Sequence, residues 1–118
     1  MPATRLSIPA TVEVAELEWG EAGWHDFAAR AAAFCPTLVL GADLCYTDAG
    51  GVALALTAQR LLQLPGCSLL LVAYKERGAG GAFFSALRER GLRCEDAERE
   101  GEHRVLRITA AAASVLEG

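Results

Sequence analysis

Three short stretches of the sequence set an aromatic ring beside a charged group. They are Leu17-Glu-Trp19-Gly20, Gly41-Ala42-Asp43-Leu-Cys-Tyr46 and Ala73-Tyr74-Lys75-Glu76-Arg77. The face of an aromatic ring attracts a cation through its quadrupole, and a neighbouring carboxylate adds to that attraction, so such pairs suit a cationic ligand group. Each residue also has a plain structural reading. Asp43 can be a cap or turn acid after a strand, and Trp19 and Tyr74 can be core packing. Other chemistry is poorly represented. His25 and His103 are distant and lack ligand spacing to any cysteine or carboxylate, so no zinc site is expected. Gly50-Gly51 and Gly78-Ala-Gly-Gly81 neither form G-x-G-x-x-G nor precede a Lys-Ser/Thr pair, and read as loop punctuation.

The elements that must position these stretches follow from periodicity. Residues 1–10 contain Pro2 and Pro9, show no period, and read as a loose lead-in. In residues 11–17, Val12 and Val14 alternate with Glu13, which predicts a strand with one wet face. Residues 23–33 place Trp24, Phe27, Ala28 and Ala31 at helical spacing, and Pro36 stops that helix. Residues 37–42 form a nearly unbroken apolar run, the mark of a parallel strand covered on both faces, with Asp43 to Tyr46 at its carboxyl end.

Thr47 or Asp48 can cap the next helix. That helix is expected at residues 52–63, where Leu54, Ala58, Leu61 and Leu62 make one apolar stripe, and Pro65-Gly66 ends it. A second doubly covered strand is expected at 68–74, closed by the charged Lys75-Glu76-Arg77. Phe83, Phe84 and Leu87 outline a third helix with Gly91 at its end, and Arg88 and Arg90 suit the negative pole of its dipole. The tail reads as a hairpin, with arms at 92–96 and 104–109 joined by 97–103, followed by an alanine-rich, frayed end at 110–118. Strand, helix, strand, helix, strand, helix and an antiparallel pair make an α/β chain.

The sequence of 118 residues, 53% of them hydrophobic, is expected to form one domain around one core. Eleven Lys and Arg against fifteen Asp and Glu give a net charge of -4, which disfavours nucleic acid or anionic lipid as the main partner. The apolar runs at 38–40 and 69–73 are far shorter than the roughly 20 residues of a membrane-spanning helix. The first residues carry a positive charge without an apolar stretch and do not read as a secretion signal. Cys35, Cys45, Cys67 and Cys94 are scattered without a C-x-x-C pair, and are expected to be reduced, mostly buried thiols of a cytoplasmic or nuclear protein.

The ordered stretches resemble one family. Asp43-Leu-Cys-Tyr46 is similar to the D-x-x-Y motif of the class I, seven-strand protein-lysine methyltransferases, especially the branch called methyltransferase-like twenty-one. In that branch a strand ending in L-x-W-G comes first, an apolar "ILGAD" strand carries the motif, and a strand ending near "AYKER" follows. Their counterparts here are Leu17-Glu-Trp19-Gly20, Val39-Leu-Gly-Ala-Asp43 and Ala73-Tyr-Lys-Glu-Arg77, and the resemblance covers about residues 11 to 110.

The resemblance implies a Rossmann-like class I methyltransferase sheet, its C-terminal part, ending in an antiparallel hairpin. It implies S-adenosyl-L-methionine as cofactor and a lysine of a protein substrate as acceptor. Trp19 would lie along the adenine, and the Ala42 backbone would line the cofactor cleft. Asp43 and Tyr46 would shape the entry of the acceptor nitrogen, with Tyr74 as a wall.

The family's strand order is 3-2-1-4-5-7-6. Its N-terminal half supplies two strands, an acidic-glycine loop and the acid that holds the ribose, and these have no counterpart in this sequence. The chain by itself is therefore expected to bind cofactor weakly and to turn over little. The strand at 37–42 would lack neighbours, unless residues 11–17 pair with it or a second chain covers it, so self-association through an uncovered sheet edge is expected as one outcome. The alternative function is a non-catalytic scaffold that keeps the half-sheet for assembly.

Overall fold

The computed structural model of the protein describes residues 14–31, 33–42, 47–75 and 81–111. Three helices and four strands follow in the order α1 (Glu21–Arg30), β1 (Leu38–Ala42), α2 (Asp48–Leu62), β2 (Leu69–Lys75), α3 (Gly81–Glu89), β3 (Leu92–Glu100) and β4 (His103–Ala110). The α/β class expected from periodicity is observed. No helix among the described residues is long and apolar enough to cross a membrane.

The strands form one mixed sheet in the order β1-β2-β4-β3. β1 and β2 are parallel, and β4 is antiparallel to both β2 and β3. β1, β2 and β3 therefore run in one direction, and β4 returns between the last two. A crossover between parallel strands is right-handed in almost all cases, so a chain advancing one way across a sheet sets successive helices on the same face. α2 and α3 accordingly pack together, and their Leu54, Ala58, Leu61, Phe83 and Leu87 share a core with Leu70, Val72, Leu106 and Ile108 of the sheet. α1 packs beside α2, with Trp24 against the same core.

Local chemistry explains the helix limits. The Thr47 hydroxyl accepts from the Gly50 N–H at 2.9 Å, so α2 starts at Asp48, four residues before the start expected at residue 52. Gly91, at φ +75°, turns the chain from α3 into β3, as its position after the third helix predicts. Gly51 is required for a different reason. A Cβ there would stand 2.9 Å from the Cβ of Phe83, which is fully buried, so the absence of a side chain sets how closely α2 and α3 approach.

Several expectations are corrected. Residues 14–17 join no strand, and Val14 is 97% exposed. The Glu16 carbonyl accepts from Arg30 Nη2 at 3.0 Å, so this stretch is tied to α1 by a side chain instead of a ladder. Residues 11–13 lie outside the described residues. The two apolar strands are not covered on both faces. Residues of β2 alternate, with Leu70, Val72 and Tyr74 buried and Leu69, Leu71 and Ala73 partly or largely exposed. In β1, Leu38 is 45% and Leu40 is 70% exposed. The cause is the one-way advance of the chain, which leaves the second face without a helix among the described residues.

The first helix spans 21–30 rather than 23–33. The hairpin arms are longer than expected, since both strands extend to a two-residue turn at Gly101 and Glu102. A bulge between Asp96 and Glu98 absorbs the extra residue and lets the ladder continue. The expected lead-in and most of the alanine-rich end lie outside the described residues, although Ala111 donates its N–H to the Gly91 carbonyl at 2.9 Å.

Candidate functional site

A cleft of about 700 Å³ lies along the rim formed by the carboxyl ends of β1 and β2 and the β3–β4 turn. In α/β sheets this rim is where ligands bind, because helices and strands present unsatisfied backbone groups and loop side chains there. Register builds the cleft. Ala42 pairs with Ala73, Ala73 with Val105, and Val105 with Glu98, which gives a cross-strand row on the open face of the sheet. The next row outward is Lys75, His103 and Glu100. Small side chains thus make the floor on the β1–β2 side. Two carboxylates border it from β3, with Lys75 and His103 beside them.

A third row, Tyr74, Arg104 and Arg99, borders the cleft from the covered face. The Arg104 guanidinium lies 5.1 Å from the ring centre of Phe84 and 5.8 Å from that of Tyr74, and those rings meet edge to face at 5.4 Å. Its Nε also donates to Asp96 Oδ1 at 2.7 Å. Arg104 is therefore held on two sides, by π faces and by a carboxylate, and it fixes the start of β4 against β2 and α3.

Tyr74 is 7% exposed and packs in the core while its strand end borders the cleft. Ala42 and Tyr74 are brought together along this rim. Trp19 is half-buried against the core and is not among the cleft residues. The reason is the anchoring of its neighbour: Gly20 donates its N–H to the Thr57 hydroxyl at 3.0 Å, midway along α2. Thr57 is fully buried, so this bond satisfies a polar group inside the core while it fixes the entry to α1. Asp43 and Tyr46 lie outside the described residues.

The hairpin residues Glu98, Arg99, Glu100, His103 and Arg104 were not singled out as site residues by the sequence. Periodicity places most of them in a joining loop, and only the ladder sets them opposite Lys75 and Tyr74. No local signal marks Arg104 as the group between two rings from different elements.

Of the cysteines, Cys67 is buried, Cys94 is partly buried and Cys35 is exposed, while Cys45 lies outside the described residues. Cys35 is exposed because residues 33–37 run over the surface into β1. Burial pushes the Cys94 thiol up to about 11, with Asp96 and Glu95 acting in the same direction against the Arg104 guanidinium. A thiol held so high is protonated at neutral pH and is a poor nucleophile.

Comparison of the chain with protein-family models, curated proteins and solved structures finds no match.

Proposed function

We propose that the chain carries the second half of the sheet of a class I S-adenosylmethionine-dependent methyltransferase that modifies lysine in proteins. The observation that carries this reading is the return of β4 between β2 and β3. The order β1-β2-β4-β3 corresponds to the last four places, 4-5-7-6, of the family's order, with the final strand as the antiparallel one. Residues 39–42 of the motif-bearing segment also fall on β1, the strand that corresponds to place 4.

Ala42 and Ala73 leave the floor of the cleft open to a methyl donor and an amine acceptor, and Glu98 and Glu100 set negative charge at a border that also carries Lys75, Arg99 and Arg104. When bound, S-adenosylmethionine supplies an electrophilic methyl group on a sulfonium. The residues of this chain would contribute position and charge. The Ala42 backbone would form one wall of the donor site, Tyr74 would limit the entry of the amine, and the carboxylates would favour the ammonium product. The rim residues would align that methyl group with a neutral amine for an in-line displacement, the Ala42 backbone beside the donor and Tyr74 beside the amine. Such a displacement gains most of its rate from near-attack positioning.

The test is a titration followed by NMR. S-adenosylmethionine at millimolar concentration is expected to shift the amides of Gly41, Ala42 and Lys75, while calorimetry shows no micromolar binding. Absence of any shift along the rim overturns the reading, and micromolar affinity contradicts the expected weakness of this chain. A second reading, a non-catalytic assembly role, is favoured by the outer edge of β1, which pairs with no strand among the described residues. Its signature is a dimer whose mass in light scattering is indifferent to the cofactor.

A further inference from the structure

The charged groups at the border of the cleft divide into two sets. On the covered face, Asp96 lies 2.7 Å from Arg104 and 3.9 Å from Arg99, so these three charges are tied to one another. On the open face, Lys75 of β2, His103 of β4 and Glu100 of β3 stand in one cross-strand row, with Glu98 in the row inward of it. All of this second set are exposed and line the cleft, and none forms a side-chain hydrogen bond or ion pair with a described residue.

Spacing keeps the second set apart. Neighbouring strands lie about 4.8 Å from each other, so Lys75 and Glu100 start roughly 10 Å apart at the backbone, with His103 between them. An unpaired cation and unpaired carboxylates across one cleft match a ligand that carries both signs at a similar separation. Each charge then meets its opposite without breaking an existing pair.

We propose that the cleft takes an extended peptide in which the acceptor lysine is flanked, within about three residues, by an acidic residue. The lysine ammonium faces Glu98 and Glu100, and the acid faces Lys75. Lysine as the central group rests on the methyl-transfer reading, whereas the nearby acid follows from Lys75 itself. An extended chain advances about 3.3 Å per residue, so about three residues cover the gap between the two charges. Glu98 and Glu100 alone would accept any cation. Lys75 makes the recognition selective, because a second basic residue in place of the acid would meet it with like charge.

The probe is an acetylated, amidated peptide, Gly-Glu-Lys-Glu-Gly, compared with Gly-Gln-Lys-Gln-Gly in NMR titrations of the whole chain at low ionic strength, without cofactor. The acidic peptide is expected to bind about two- to fivefold more tightly, the range of one exposed ion pair, and to shift the amides of Lys75, Glu98 and His103. The chain carries a net charge of -4, so this preference runs against its overall field and must come from local charge. Lys75→Gln is expected to remove most of it. Arg88→Gln on α3 makes the same change in charge outside the cleft and is expected to keep it. Norleucine in place of the peptide lysine is expected to weaken binding.

Equal affinities for the two peptides overturn the proposal, as does a preference that survives Lys75→Gln or is lost in Arg88→Gln. A norleucine peptide that binds as well as the lysine peptide also overturns it. Rim shifts with S-adenosylmethionine but none with either peptide overturn the peptide site and leave the methyl-transfer reading intact. A preference for the acidic peptide without any response to S-adenosylmethionine supports the peptide site and overturns the methyl-transfer reading instead.

Discussion

Leu106 is fully buried and Leu40 is 70% exposed, although both are leucines on strands of one sheet. Their difference is one of face. Even-numbered residues of β4 point beneath α2 and α3, where Leu106 meets the core, whereas even-numbered residues of β1 point to the side that receives no helix among the described residues. Full burial of a leucine side chain is worth roughly 1.5–3 kcal/mol relative to exposure. The covered face therefore holds the domain together, and the open face is available for the cleft and for partners. Position on the sheet, more than residue type, decides which of these roles a leucine takes.

The largest expected effect tests that contrast directly. Leu106→Ala is expected to lower the stability by about 2–5 kcal/mol in urea denaturation, because it removes buried methyl groups and leaves a cavity. Leu40→Ala in dilute solution is expected to change it by less than about 0.5 kcal/mol. Comparable losses at the two positions would mean that the open face is covered in solution.

A middle-sized effect sharpens the account of the covered side. Gly51→Ala sets a methyl group 2.9 Å from Phe83 Cβ and 3.2 Å from its backbone, and neither can withdraw from a filled core. A loss of about 1–3 kcal/mol is expected from thermal or urea unfolding. A neutral outcome would mean that α2 and α3 are less tightly apposed than their backbone contact implies.

The smallest effect concerns Cys94, which sits at the margin of the covered face. Its thiol is raised from 9.0 to about 11 in the folded chain, so folding favours the protonated form. That contribution is fully present below pH 9 and is lost as pH rises through about 11. Because Cys94 is only partly buried, the loss is expected to be roughly 1 kcal/mol, smaller than the full shift would give. Cys94→Ala should remove this alkaline decline, measured as the difference in stability between neutral and alkaline buffer.

Much of the fold was legible in local sequence because its signals are local. Thr47 marks the start of α2 through one hydrogen bond, Pro65-Gly66 its end, and Gly91 the turn after α3. The apolar runs predicted β1 and β2 as strands, but not how their faces are used. A run of leucines shows that a strand can be covered on both sides, and coverage itself depends on where distant helices pack. The candidate site was half legible for the same reason. Ala42 and Tyr74 end apolar strands and were visible as rim residues, whereas Glu98, Glu100, His103 and Arg104 depend on a ladder between segments about thirty residues apart in the chain.

The sequence alone determined the succession of helices and strands from α1 onward, the stops that bound them, and a net negative charge, since each depends on residues a few positions apart or on simple composition. Tertiary structure decided that β4 returns inside β3, that the described helices leave one face of the sheet open, and that Arg104 is held between Tyr74, Phe84 and Asp96. These follow from crossover direction and from packing between remote segments. Neither quantity is written into any short stretch of the chain.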